Sequence, residues 1–422
     1  MKILWIINTV LPEIAADNNM EIDNGGGWLS GILAGLKTYC KDLDITVAFP
    51  YRGEKLKGEV GDIKYLSFYE KNCEAKDNKT AIDIRGIIES VNPDVIHIFG
   101  TEYSHAFFTV REAAELGKGK RVVINIQGLI SECAKKYYAG LSFLAVHKFT
   151  LRDFLKRDNV AGQKRSFAKR GKSEIAALKQ ANRVIGRTEW DKDSVLKIND
   201  KLTYHKCNES LRREFYSGSW NYESCEKHSI FVGSCSYPLK GFHRVIGVMP
   251  EILKKYPDAK VYVTGESPFS QCGLKNLKHK TYYQVYLKKL ILKYGLKDKI
   301  VFLGGLNAEK MKERLLKSNA FVLSSSIENS PNTLGEAMLL GVPSVASSVG
   351  GVTSFIRDGE NGLLYPFDER KTLIAGIDKV FSDCDFARKI SSNSQKDARE
   401  IFDGKKNAET LYGIYSEIAS AK

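Results

Sequence analysis

Short apolar runs ending in polar or glycine residues recur along this chain, separated by longer stretches with helical spacing. In the first half the apolar runs are Ile3–Ile7, Ile45–Phe49, Val95–Phe99, Val122–Ile126 and Val184–Gly186. Each is read as a buried strand, and the alternation with helical stretches predicts a parallel sheet with crossovers. The pattern restarts at Ser229–Gly233 and continues through Val261–Glu266, Ile300–Gly304, Phe321–Leu323 and Val342–Ala346. Ser330-Pro331 offers a hydroxyl and then a residue with preset φ, a helix start. That helix is expected from about Pro331 to Leu340, stopping at Gly341. Leu411, Ile414 and Ile418 give helical spacing to 407–422. The predicted organisation is a first Rossmann-like domain over 1–205, a linker over 206–228 and a second such domain over 229–406.

The chemistry concentrates in 321–367, where a strand, a polar loop, a helix and a strand follow one another. A helix N-terminus presents unpaired N–H groups and partial positive charge, so phosphate is its natural ligand. Glu336 shares a helical face with Asn332 and Thr333 at spacings of four and three. A carboxylate beside phosphates needs hydrogen-bond donors, and a ribose diol supplies them. Glu328, in the loop before the helix, is placed to reach hydroxyls beyond the phosphates. Either acid alone reads as a solvated surface residue. The Glu-x7-Glu spacing, with Gly341-Val342-Pro343 and Gly350-Gly351 at fixed offsets, argues for a site.

This stretch resembles the donor-site signature of retaining glycosyltransferase family 4, bacterial surface-polysaccharide type. The resemblance implies a GT-B fold, α/β, with two facing Rossmann-like domains and an interdomain cleft, the 407–422 helix packing back on the first domain. It implies that Glu328 contacts the donor sugar and Glu336 the nucleotide ribose, with Asn332, Thr333 and Leu334 beside them. Lys240 resembles the lysine that neutralises the donor diphosphate, and Gly265 lies in the nucleotide-facing loop. Relatives carry an arginine where this chain has Ser234, so Arg244, Arg187 or Arg212 is left to supply that cation. Gly26 and Gly27 close a glycine run after the first strand, where the family has a loop facing donor phosphates and acceptor. The acceptor-side candidates are Glu102, His105, Gln127 and Arg187, on loops following strands. His97 lies inside an apolar strand, and Phe99 stands where relatives often have a second histidine, which favours packing for His97.

The 422 residues allow two full cores, and eight cysteines without a C-x-x-C pair fit a reduced compartment. Ile3–Ile7 is too short for a signal peptide or membrane span, so a cytoplasmic location is expected. The formal net charge of +14 suits anionic partners. Its densest part is 135–172, with eleven basic against two acidic residues, read as a basic amphipathic helix able to lie on an anionic bilayer. Asp383-Cys384-Asp385 has the form of a metal motif but falls far from the signature. The expectation is therefore a metal-independent, cofactor-free hexosyltransferase acting with retention. It would move a sugar from a UDP-sugar, or next a GDP-sugar, to a glycan or lipid-linked acceptor in capsule or other surface-polysaccharide synthesis. It would be cytoplasmic or peripheral on the inner face of the plasma membrane, with no nucleic-acid partner. The alternatives are an epimerase of the same fold and a non-catalytic basic protein that binds nucleic acid or a membrane surface.

Overall fold

The computed structural model describes residues 1–20, 27–70, 78–270 and 280–421. It divides into two compact units, one of 1–131, 168–212 and 402–422, the other of 132–167 and 213–401.

The first unit is built on eight strands: β1 (Lys2–Ile6), β2 (Asp44–Pro50), β3 (Lys57–Val60), β4 (Ile63–Phe68), β5 (Val95–Phe99), β6 (Val122–Asn125), β7 (Arg183–Gly186) and β8 (Thr203–Lys206). Their order is β3-β4-β2-β1-β5-β6-β7-β8, parallel apart from the β3–β4 pair. Central β1 is buried on both faces, as continuous apolar strands of parallel sheets are. Ile3, Trp5 and Ile7 enter one core layer, with Leu411, Ile414, Tyr415 and Ile418 of the last helix, Gly404–Ser420. Leu4 and Ile6 enter the other, with Ile84, Ile88, Phe108 and Leu178. His97 lies in the middle of this unit, wholly buried, its Nδ1 2.6 Å from the Tyr415 hydroxyl. The same hydroxyl accepts from Trp5 Nε1 at 3.0 Å, so the last helix is tied into β1 and β5 by polar as well as apolar contacts. Burial pushes the His97 pKa down to about 3, leaving a neutral packed ring.

The second unit holds six parallel strands: β9 (Glu226–Val232), β10 (Lys260–Val263), β11 (Ile300–Phe302), β12 (Ser318–Leu323), β13 (Ser344–Ser347) and β14 (Leu363–Tyr365). Their order is β11-β10-β9-β12-β13-β14. The chain builds outward from β9 on one side, then crosses to β12 and builds outward on the other. That reversal puts a crevice at the carboxyl ends of β9 and β12, the place where open α/β sheets take ligands.

Residues 132–167, expected in the first domain, pack in the second unit. They do not form the single basic helix expected either. Two short helices, Phe143–His147 and Leu151–Lys156, precede a long one, Val160–Gln180. Buried Asp153 fastens them. Its carboxylate accepts from Thr150 N at 3.1 Å, closing a capping box, and from Tyr282 N at 2.7 Å. Thr150 Oγ1 donates to the Lys280 carbonyl at 2.8 Å.

Candidate functional site

The crevice at β9 and β12 is assembled from close backbone approaches. After β9 the chain passes Gly233 and Ser234, turns through Pro238–Lys240, and enters the Phe242–Lys255 helix at Gly241. Gly241 has φ +66°, and a Cβ there would lie 1.7 Å from the Ser324 carbonyl oxygen, so no other residue fits. The loop is thereby seated on the end of β12. Ser324 Oγ donates to the Lys240 carbonyl and Ser326 N–H to the Leu239 carbonyl, each at 2.8 Å. On the other side Gly351 N–H donates to the Glu328 carbonyl at 2.9 Å. Gly350, at φ +54°, passes so near that a Cβ would meet the same oxygen at 1.9 Å.

These constraints bring two of the expected residues together. Lys240 Nζ lies 2.6 Å from Glu328 Oε1, which also accepts from Ser325 Oγ at 2.7 Å. Burial works against the Lys240 charge, but Glu328 and then Tyr237 outweigh it and raise the pKa, so the amine stays protonated. An ammonium has three donors, and Glu328 takes one.

The Asn332–Leu340 helix begins beside this pair. Its N-cap is Pro331, which has no side-chain acceptor, so the expected hydroxyl cap is not made there. Asn332 and Thr333 are half-buried in the first turn, Leu334 is buried, and Glu336 is 2% exposed one turn in. Gly233 lets this helix approach β9, since a Cβ on it would come 2.9 Å from Thr333 Cγ2. Gly265, at φ +115°, donates its N–H to the Gly304 carbonyl at 2.9 Å. A Cβ there would fall 2.7 Å from Cys235 Sγ, so the loops after β9 and β10 also touch closely. Ser234 caps its own turn by accepting from Ser236 N–H at 3.2 Å. Arg244 is turned to the far end of the signature. Its Nη2 donates to the Phe367 carbonyl at 2.9 Å, and the guanidinium stands 5.1 Å from that ring's centre.

The first-unit candidates are bound more tightly than a rim position requires. His105 is 1% exposed, with Nδ1 2.8 Å from Glu70 Oε2 and its N–H donating to Glu70 Oε1. It anchors the start of the Ser104–Glu115 helix and is not an open acceptor-side group. Arg187 is likewise buried, 2.6 Å from Glu209 Oε2, and Gln127 donates to Glu209 Oε1. Arg187 is therefore already neutralised and is a poor substitute for the cation missing at Ser234. Glu102 differs. It lies beyond β5 against Gly100, and its Oε2 is buried with no hydrogen-bond partner. Burial, reinforced by Glu174 and opposed by His105 and Arg170, raises its pKa to about 7. Gly27 is the first residue of the Gly27–Tyr39 helix, and Gly26 lies outside the described residues. Asp383 accepts from Phe386 N–H and pairs with Lys379, and Asp385 pairs with Arg388, so the apparent metal motif serves a helix start. Ser325 and Gly233 were not among the expected site residues; the polar run 324–326 after a buried strand is the signal for Ser325, and the glycine ending the first strand of the second half is that for Gly233.

Residues 213–397 match the family model described as Glycosyl transferases group 1. An uncharacterized glycosyltransferase of Methanocaldococcus jannaschii, MJ1607, is 28% identical over 54% of this chain and 52% of its own length. The chain thus spans about half the length of that relative. Among solved structures, sucrose-phosphate synthase from Thermosynechococcus elongatus superposes with TM-score 0.73 at 15% identity, covering 100% of both chains. Anabaena HepE, solved in complex with UDP-glucose, gives TM-score 0.66 at 16% identity over 99% of this chain and 100% of its own. At such identities the likeness is one of fold. With two Rossmann-like units the chain has the GT-B fold, and its match to the glycosyl transferases group 1 model lies within the second unit.

Proposed function

We propose that this chain is a retaining glycosyltransferase that takes a sugar from a UDP-sugar, or next a GDP-sugar, and gives it to a glycan or lipid-linked acceptor in surface-polysaccharide synthesis. The observation that carries the reading is the Lys240–Glu328 pair at the sheet's reversal point, beside a helix N-terminus without a side-chain cap. Lys240 and the N–H groups of the first helical turn neutralise a diphosphate, favouring its departure. Glu328, held by Lys240 and Ser325, accepts from hydroxyls of the transferred sugar through its remaining lone pairs. Glu336 takes the ribose diol. As the anomeric C–O bond breaks, its electron pair goes to the diphosphate. The acceptor oxygen attacks from the same face and its proton passes to the departing phosphate oxygen, giving retention without a covalent enzyme intermediate. The bound UDP-glucose in HepE, a protein of the same fold, supports the uridine preference. No metal or cofactor is assigned a role.

The test is thermal stabilisation by UDP, GDP and ADP, each with EDTA present. A ligand at 100 times its Kd adds about 2.7 kcal/mol of stability. UDP is expected to stabilise the wild type and to lose that effect in Glu336→Ala. Equal stabilisation of both proteins would remove Glu336 from the ribose. Turnover of a UDP-sugar to its epimer without any acceptor would replace transfer by epimerisation.

A further inference from the structure

Among the described residues ten large apolar side chains stand exposed, and six of them fall in Phe143–Leu155: Phe143, Leu144, Phe149, Leu151, Phe154 and Leu155. Scattered exposed hydrophobics need no explanation, but a cluster on two adjacent short helices does. Phe143 is 75% and Phe154 65% exposed, so these rings point outward rather than cap the core. An open hollow of about 470 Å³ adjoins them, floored by Phe149, Phe154 and Leu155 and edged by Arg157 and Arg165. Lys148 and Lys156 are exposed on the same two turns. The acids do not balance this charge. Asp153 is buried and spent on Thr150 and Tyr282, and Asp158 pairs with Arg152 at 2.9 Å.

We infer that the 143–165 surface docks on an anionic lipid bilayer, its phenylalanines and leucines entering the interface and Arg157 and Arg165 taking lipid phosphates at the hollow. Aromatic and leucine side chains ringed by lysine and arginine are what an interfacial site requires. Half of the six exposed side chains are leucines, which neither stack on bases nor pair with acids, so a bilayer fits the patch better than a nucleic acid or an acidic protein. The inference is independent of the transfer reaction, because none of these residues lies at the Lys240–Glu328 site.

The test is flotation of the full chain with phosphatidylglycerol vesicles and with phosphatidylcholine vesicles. Three proteins are compared: wild type, Phe149→Ala/Phe154→Ala/Leu155→Ala, and Arg157→Gln/Arg165→Gln. The wild type is expected to float with the anionic vesicles only, and less at high salt. Each variant should keep the wild-type melting temperature, the changed side chains being exposed. Removing both arginines should lower partitioning about 30-fold, at roughly fivefold per cation. No flotation at low ionic strength, or flotation equal in all three proteins, overturns the inference. Concentration-dependent dimers abolished by the triple variant, with no flotation, would assign the patch to a second copy and overturn it too.

Discussion

Lys240 and Glu328 show how a side-chain pair is set by backbone atoms rather than by its own attraction. Two glycines with positive φ, two backbone hydrogen bonds and one from the Ser324 hydroxyl fix both loops before the ammonium meets the carboxylate. Lys240→Met should therefore leave the fold intact, with Glu328 still held by Ser325. Its effect should fall on transfer, where losing one preorganised charge partner costs on the order of 10²–10³ in kcat. Steady-state kinetics with a UDP-sugar would show it, and an unchanged kcat would exclude Lys240 from leaving-group stabilisation. Glu102 gives the opposite case, a carboxyl whose buried Oε2 has no hydrogen-bond partner. Its folded pKa of about 7 lies above the ordinary 4.5. The native state then holds the proton more tightly, so this contribution to stability is full below 4.5 and is lost as pH rises through 7. The wild-type melting temperature, relative to Glu102→Gln, is expected to be higher at pH 5 than at pH 8. A gap independent of pH would show that Glu102 titrates normally. Glu328 and Glu336 were legible as candidates because they sit at fixed offsets in one continuous stretch, whereas Lys240, 88 residues before Glu328, was found through the family resemblance. The buried fates of His105 and Arg187 were not, because Glu70 and Glu209 lie 35 and 22 residues away along the chain.

Among elements, most strands found from sequence are interior ones with near-continuous burial, where an apolar run announces itself; β11, half-exposed at a sheet edge, was found by its apolar run alone. β3, β4, β8 and β14 were missed. β3, β8 and β14 lie at sheet edges, run three or four residues, and carry half-exposed or charged side chains, while the six residues of β4 are interrupted by exposed Lys64 and the polar Ser67. Nothing in their composition separates them from loop. The 132–167 segment departed from expectation because the groups that fix it, buried Tyr137, Ala145, Val146 and Asp153, are scattered and give no continuous apolar run. Asp153 caps its own helix and also serves Tyr282 N–H, so Asp153→Ala leaves two helix starts short of an acceptor. A lost cap costs about 1 kcal/mol and an unmet buried donor about 1–3. The variant is expected to lose roughly 2–4 kcal/mol on these two counts. Hydrogen exchange should show the loss first in 143–156. Protection unchanged there would mean that apolar packing, not Asp153, secures the two helices.

On the scale of the whole molecule, each unit closes its core with pieces distant in sequence. The first collects 1–131, 168–212 and 402–422, and the second takes 132–167 before its own continuous stretch of 213–401. The two-domain expectation came from a repeating strand–helix pattern, which reports local order well. It carries no signal for a segment that leaves one unit for the other and returns.

The bond between Trp5 and Tyr415 spans 410 residues. On a ribosome moving at about 5–20 residues per second, β1 waits roughly 20–80 s for the helix that covers it. For that interval Ile3 and Trp5 form an uncovered apolar floor, while the second unit already has nearly all its chain. Newborn first units should thus be the fraction that holdase chaperones retain, and the arrival of the Gly404–Ser420 helix the event that frees them.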